Sequence, residues 1–299
     1  MFHKAQQGIA LISALLIVAI ATTITVSLTF DQTLVVKKTA YMLDRAQSTQ
    51  YILGLEDWVQ NFLIKDAKDS EIDSLTEDWA TKIPPLPVAR GYLSGYLDDE
   101  QAKVNLNGLL SSPETLDRFR LLCEHLGVET EFIPALLDWL DSDLDIRYPD
   151  GAEDDVYSSL TPAYRSANRL MTDVSELLLV KSMSDDIYNE LLPFITVLPE
   201  ATNLNVNTLS KEVFLALDKS LNDSQYEQFI ELRDKDGFTS VSDMIKKLKI
   251  NIDEKGLSVG SDYFSLNGLI VQGESQTEFV SLIHRNKQQT KILQRSLGF

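Results

Sequence analysis

The sequence predicts an α+β protein in which a long N-terminal helix packs on a small antiparallel sheet, with an all-helical subdomain inserted between the sheet's first and last strands. Three observations carry this prediction. An uncharged apolar run opens the chain, strand-like alternation occurs near residues 91–106 and again near 263–293, and helical periodicity fills the interval between them. With 299 residues, 44% of them hydrophobic, the chain is long enough for one large domain or two ordinary ones.

Cysteine, histidine and charge content exclude several function classes. The single cysteine, Cys123, rules out a disulfide framework and a Cys-based zinc or iron–sulfur site. The three histidines, His3, His125 and His284, form no metalloprotease motif. A formal net charge of −18 disfavours general binding to a phosphate backbone, so we expect no nucleic-acid partner.

The N-terminal apolar run is long enough to cross a membrane. Ile9–Phe30 holds 22 residues without charge, proline or glycine, and as a helix it extends about 33 Å. Three interpretations stay open: a cleaved secretory signal, a plain single-span anchor, and a leader cut between Gly8 and Ile9. The short polar segment that ends in Gly8 resembles a type IV prepilin leader. Most pilin-like proteins carry Glu at the fifth mature position, where this chain has Ser13.

Apolar periodicity carries the first helix beyond the membrane run. Tyr51, Leu55, Trp58 or Val59, and Phe62 recur at helical spacing, and the pattern ends at Asp66–Asp69. Ile83–Pro87 contains three prolines, which predicts an extended connection. Gly91–Leu97 and Ala102–Leu106 follow as two strands, and we expect a hairpin turn at Asp98–Glu100 between them.

The middle of the chain is predicted to be helical and its C-terminal part to be a β-meander. Predicted helices span 116–126, 131–140, 174–180, 185–194, 210–221, 224–234 and 241–248, with Ser210 and Ser224 as N-caps. Strands are predicted at 263–271, 279–283 and 291–293, with turns at 272–275 and 285–287.

An acidic segment is the most unusual local feature of the sequence. From Asp138 to Asp155, eight of 18 residues are acids, and Arg147 is the one basic residue. Carboxylates at alternate positions turn toward one point in a tight loop, and a hard cation with oxygen ligands relieves their repulsion. The spacing is not that of an EF-hand, because Ile146 stands where the loop glycine belongs. A calcium site is therefore predicted here, although many acidic runs are only solvated loops.

Residues 203–240 resemble helix-hairpin-helix modules, which bind DNA phosphate through a glycine-rich hairpin. The corresponding hairpin, Ser220–Asp223, lacks glycine and carries an acid. A packing scaffold is the favoured interpretation, and a membrane-anchored DNA-binding module is the alternative. We find no P-loop, nucleophile elbow or dinucleotide fingerprint, so an enzyme is not predicted.

Taken together, several stretches resemble the K-type minor pseudopilin of the bacterial type II secretion system over nearly the whole chain. They are Gly8–Val18 without the fifth-position Glu, Glu77–Ala80, Pro84–Pro87, Val104–Asn107, Asp138–Asp143, Gly151–Asp154, Tyr164–Asn168 and Asn205–Thr208.

This resemblance implies a pilin-like fold with a large inserted helical domain. The implied organisation is a leader at 1–8, a transmembrane helix at 9–30, a first pilin-like part at 31–109, the insert at 110–255 and the last strands at 256–299. It implies calcium ligands among Asp141, Asp143, Asp145, Glu153, Asp154 and Asn168.

The resemblance also implies where the protein works. Prepilin peptidase would cut after Gly8 and leave Ile9 as the methylated N-terminus. The mature chain would be a single-pass inner-membrane protein with a periplasmic ectodomain. It would cap the pseudopilus tip with the I- and J-type minor pseudopilins, assembled from the inner-membrane platform.

Overall fold

The computed structural model describes residues 4–286 and 288–298, without the side chains of residues 4–9 and 236. Its helices are α1 Lys4–Asp69, α2 Pro113–Leu126, α3 Phe132–Leu140, α4 Asp154–Tyr157, α5 Asp185–Leu191, α6 Lys211–Leu215, α7 Asp223–Asp236 and α8 Val241–Leu248. Its strands are β1 Ile83–Val88, β2 Gly91–Asp99, β3 Val104–Asn105, β4 Ile195–Thr196, β5 Leu204–Asn205, β6 Leu257–Ser258, β7 Tyr263–Gln272, β8 Ser275–Arg285 and β9 Thr290–Gly298.

Helix α1 has two parts with different surroundings. Every side chain from 10 to 43 is exposed, whereas from Asp44 onward one face turns inward. Ile52, Val59 and Leu63 on that face are fully buried against the sheet. The prediction left Trp58 and Val59 as alternatives for one position of the apolar stripe. Val59 is the residue buried in the core, whereas Trp58 is 53% exposed and stacks on Phe62.

The sheet beneath α1 has the strand order β1-β2-β7-β8-β9 and is antiparallel throughout. Leu93, Phe264, Ile270 and Phe279 point toward α1 and form a common core with it. The C-terminal meander is confirmed, since β7, β8 and β9 pair in sequence order. The predicted fold class, a long N-terminal helix on an antiparallel sheet with further helices, is confirmed.

The proline-rich segment is extended, as predicted, but it is a strand of the sheet rather than a free connection. β1 pairs with β2 from Ile83 to Val88 with one register irregularity. Prolines are tolerated here because β1 is an edge strand, whose outward side makes no ladder hydrogen bonds.

The hairpin predicted at Asp98–Glu100 is wrong. β2 pairs with β7, far along the chain, and Val104–Asn105 pairs in parallel with Ile195–Thr196 instead. The reason is local: the Asp99 side chain accepts a hydrogen bond from the Gln101 N–H, which caps a 3-10 turn over Glu100–Ala102. That turn directs the chain off the sheet and into the helical part.

Helices α2 to α8 lie between β2 and β7 in sequence and enclose a second core. Several predicted bounds change: 174–180 contains a 3-10 segment, and α6 ends at Leu215 rather than Leu221. Ser210 caps α6 as predicted, but the predicted Ser224 cap is wrong. Asn222 caps α7 instead, because its side chain and that of Gln225 form a reciprocal capping box. The domain bounds at 109/110 and 255/256 stay predictions.

A buried hydrogen-bond network around Asp99 connects the helical part to the sheet. The Asp99 carboxylate accepts hydrogen bonds from the hydroxyls of Ser261 and Thr208, at 2.6 and 2.7 Å, and from the Asn205 amide at 3.0 Å. These residues come from the end of β2, from the β5 region and from the segment before β7. Burial raises the pKa of Asp99 to about 6, although its hydrogen bonds oppose that rise.

Candidate metal centre and membrane helix

The acidic loop begins where a fully apolar helix ends. All residues of α3 except Pro134 and the Asp138 carboxyl are hydrophobic, and the helix is almost entirely buried. Because Asp138 lies in the last turn of this buried helix, its side chain is also buried and has no exposed area. Asp138 accepts hydrogen bonds from the Arg147 guanidinium at 2.8 Å and from the Ala152 N–H at 2.9 Å. The loop from 141 to 152 is therefore folded around one buried carboxylate.

Gly151 is required at the closure of this loop. A Cβ atom there would lie 2.3 Å from the Asp138 Oδ2 and 2.4 Å from the Arg147 carbonyl oxygen. The Gly151 N–H donates to that same carbonyl at 2.7 Å. The sequence Asp150-Gly151-Ala152 thus lets the backbone approach Asp138 and brings Glu153 inside.

Buried oxygens without hydrogen-bond partners cluster beside Asp138. They are Asp141 Oδ1, both carboxylate oxygens of Glu153, Ser166 Oγ and Asn168 Oδ1. Glu153 is only 3% exposed. Burial, then the charges of Asp138 and Asp141, raise the pKa of Glu153 to about 7. The Asn168 amide opposes that rise, although neither Glu153 oxygen makes a hydrogen bond of normal geometry.

These unpaired oxygens fit a hard cation. Buried polar groups are nearly always paired, so a cluster of unpaired acceptors needs either hydrogen-bond donors or a cation. Carboxylate, amide and hydroxyl oxygens are the donor types that calcium takes in proteins. Over residues 4–286 and 288–298, no three carboxylate, imidazole or thiol groups already converge as a metal-binding set. The cluster instead offers two carboxylates with an amide and a hydroxyl.

The six predicted ligand residues occupy different places around the cluster. Asp141, Glu153 and Asn168 contribute unpaired buried oxygens. Asp154 lies next to them, where its carboxylate accepts from the Ser166 N–H at 3.0 Å. Asp143 and Asp145 are exposed, and the Asp143 carboxylate accepts from the Asp145 N–H.

Asn168 is tied to this part of the loop, since its amide donates to the Asp143 carbonyl at 3.3 Å. It has a positive φ of 45°, a conformation that asparagine tolerates better than most residues.

Sequence reasoning missed two residues of this site, Asp138 and Ser166. Asp138 was part of the acidic segment, but its position in the last turn of an apolar helix is the signal that it is buried. Ser166 lies two residues before Asn168 in the stretch Tyr164–Asn168 and carries no pattern of its own.

The N-terminal part of α1 is long and apolar enough to cross a membrane by length and composition. Its threonine hydroxyls donate to carbonyls one turn earlier, at 2.7 Å for Thr22 and 2.8 Å for Thr25 and Thr29. Internal hydrogen bonding of this kind satisfies polar groups in lipid. Gly8 and Ile9 lie within the helix, while the first three residues of the predicted leader are outside the described residues.

The helix-hairpin-helix-like segment presents acids where phosphate would approach. Asp223 lies in the first turn of α7 and pairs with Lys211 at 2.9 Å, and Asp218 accepts from the N–H and the hydroxyl of Ser220. Both acids therefore use the local donors that a phosphate would need.

The fold combines an N-terminal helix whose apolar part is long enough to cross a membrane with a sheet and a second, helical core. Family models described as "Type II secretion system (T2SS), protein K" match residues 102–200 and 204–260. The chain belongs to the type II secretion system protein K family.

Relatives of this family align over almost the full length. Type II secretion system protein K of Pseudomonas aeruginosa is 34% identical, over 99% of this chain and 94% of the relative. The protein K of Pectobacterium carotovorum subsp. carotovorum is 30% identical, over 98% and 97%. Among solved structures, the GspK-GspI-GspJ complex from enterotoxigenic Escherichia coli has a chain with the same fold. Its TM-score is 0.77 at 24% identity, over 88% of this chain and 99% of that chain.

Proposed function

We propose that this protein is a structural minor pseudopilin that caps the tip of the type II secretion pseudopilus and initiates its assembly for protein export. Membership of the protein K family is the observation that carries this proposal. The shape supports it, since the helices α2–α8 add a second core to the one that packs on α1. A head of this width would obstruct another subunit from stacking above it.

Ser13 supports the same position. At the fifth residue after the proposed cleavage, other pilin-like proteins use Glu, which would meet a neighbour's terminal amine. Ser13 lies in the exposed apolar part of α1 and offers no charge. A carboxylate in lipid without a partner is costly, so a subunit with nothing above it gains by lacking one.

The proposed partners are the I- and J-type minor pseudopilins. The structural relative was solved as a complex with GspI and GspJ, and that complex is the support for the same partners here. Prepilin peptidase would cut after Gly8, Ile9 would be methylated, and the inner-membrane platform would assemble the mature chain. The ectodomain would then stand in the periplasm.

Calcium is proposed as a structural ion of the acidic loop. Asp141, Glu153 and Asn168 would hold it, and Asp154 with the exposed Asp143 and Asp145 would complete the set by movement of the loop. The ion would supply the positive charge that the unpaired oxygens lack, and so fix the 141–168 region.

Affinity purification tests the tip assignment. A tagged full-length chain is produced with the I- and J-type proteins of the same secretion system and extracted in mild detergent. We expect both partners to co-elute in fixed stoichiometry. A matched control carries the exposed substitution Arg120→Gln, which should leave the complex intact. Elution of the tagged chain without either partner, or with DNA bound in a salt-sensitive manner, would contradict the proposal.

A further inference from the structure

Arg147 lies inside the acidic loop as its one basic side chain between residues 138 and 155. Its Nη1 donates to Asp138 Oδ1 at 2.8 Å and also contacts Asp141 Oδ2. Its backbone N–H donates to both oxygens of Asp138, at 3.3 and 3.2 Å. One guanidinium therefore offsets part of the negative charge of two carboxylates that the fold brings together.

The two carboxylate oxygens of Asp141 have different surroundings. Its Oδ2 is held by Arg147, while its Oδ1 is buried without a partner in the same cluster as the Glu153 oxygens. A divalent cation bound at the cluster would share Asp141 with the guanidinium. The two positive charges would then repel each other across a single carboxylate.

We propose that Arg147 is a built-in counter-cation that holds the loop folded without calcium and, by competing for Asp141, weakens calcium binding. This inference rests on the proposed calcium site. Arg147 acts as a positioning residue here, and its effect is to set the calcium concentration at which the loop becomes loaded.

Two opposite effects of removing the guanidinium follow from the contacts. Without it, Asp138 keeps its backbone donors but loses its charge partner while fully buried, so the calcium-free protein is destabilised. Asp141 becomes free at both oxygens, and the local field becomes more negative by one charge. Calcium affinity should therefore rise by about tenfold or more.

The test uses the full-length protein in detergent, with calcium chloride as the probe. Arg147→Gln is compared with the wild type and with Arg120→Gln. Arg120 is a matched control because it is 49% exposed and pairs with Asp117, which is not a proposed calcium ligand. Calcium affinity is measured by calorimetry and by tryptophan fluorescence, to which Trp139 contributes beside the acidic loop, where its ring packs against Tyr157. Thermal unfolding is recorded with and without excess chelator.

We expect Arg147→Gln to melt earlier than the wild type in chelator and to bind calcium about tenfold more tightly, while Arg120→Gln stays within about twofold. Arg147→Lys keeps the charge and should restore most of the wild-type affinity. If Arg147→Gln folds only with calcium, it is purified loaded, and the chelator concentration that releases the ion is compared with that for the wild type.

Two negative results are distinguishable. Calcium binding by the wild type together with equal or weaker binding by Arg147→Gln overturns the inference alone. A wild-type protein that binds no calcium and melts at the same temperature in chelator removes calcium from the proposed function, and the inference with it.

Discussion

The ion pair between Glu56 on α1 and Arg295 on β9 should be among the strongest single contacts between the helix and the sheet. Glu56 is 2% exposed and accepts from the Arg295 Nε at 2.7 Å and from the Ser281 hydroxyl at 2.5 Å. A second guanidinium nitrogen contacts the other carboxylate oxygen. The carboxylate in turn raises the pKa of Arg295. β9 is an edge strand, so this pair fastens the edge of the sheet to α1.

Arg295→Met would leave the Glu56 carboxylate buried without a charge partner. Breaking a buried pair in this way costs about 3–5 kcal/mol. Because Arg295 is 32% exposed and Ser281 still donates, we expect the lower end, about 3 kcal/mol. The matched control is Arg120→Met, whose pair with Asp117 is 49% and 72% exposed, and which should cost less than about 1 kcal/mol.

Urea denaturation of the full-length protein in detergent measures both variants. The double variant Glu56→Leu/Arg295→Met should recover most of the loss, because removing both charges leaves no buried ion unpaired. Two results would contradict this prediction. One is a loss of unfolding free energy below about 1 kcal/mol for Arg295→Met. The other is a loss in the double variant equal to the sum of the losses in Glu56→Leu and Arg295→Met.

Three further predictions concern calcium, pH and the membrane helix. Calcium at 100 times its dissociation constant should add about 2.7 kcal/mol to the free energy of unfolding, so an unchanged melting temperature in excess chelator would count against a structural ion. Burial raises the pKa of Asp99 in the folded protein to about 6, above its ordinary value of 3.8, so its stabilising effect grows as pH falls between these values. The unfolding free energy of the wild type minus that of Asp99→Asn should therefore be about 2 kcal/mol more positive at pH 4.5 than at pH 7.5. An equal difference at both pH values would contradict this prediction. Ser13→Glu should still co-purify with the I- and J-type partners, and loss of that complex would argue against a subunit with nothing above it.

The fold was predictable where patterns are local. Period-3.6 apolar spacing identified Leu55 and Val59 of the inward face of α1, though not Ile52 and Leu63, and alternation identified β7, β8 and β9. The partner of β2 was not predictable in the same way. The sequence Asp98–Glu100 predicts a hairpin turn. In the structure the Asp99 side chain accepts from the Gln101 N–H and the chain leaves the sheet, so β2 pairs with β7 instead. Pairing over so long a separation is set by tertiary packing, which no short window contains.

In the candidate site, too, local sequence patterns predicted some features and tertiary packing decided the others. Two groups of acids, one alternating and one contiguous, predicted that carboxylates would gather, and one residue of each, Asp141 and Glu153, has unpaired buried oxygens there. Asp143 and Asp145 follow the same sequence pattern but point outward, because the loop is folded around Asp138 by Arg147 and Ala152. The decisive residue was the buried acid at the end of an apolar helix, whose importance depends on burial rather than spacing.

The intact mass of the N-terminus, from protein purified out of its own membrane, tests the pseudopilin assignment most directly. A mature chain that starts at Ile9 and is heavier by one methyl group is the predicted result, since it requires the prepilin pathway. A chain that still starts at Met1 in cells with active prepilin peptidase would contradict the assignment and leave a plain membrane anchor.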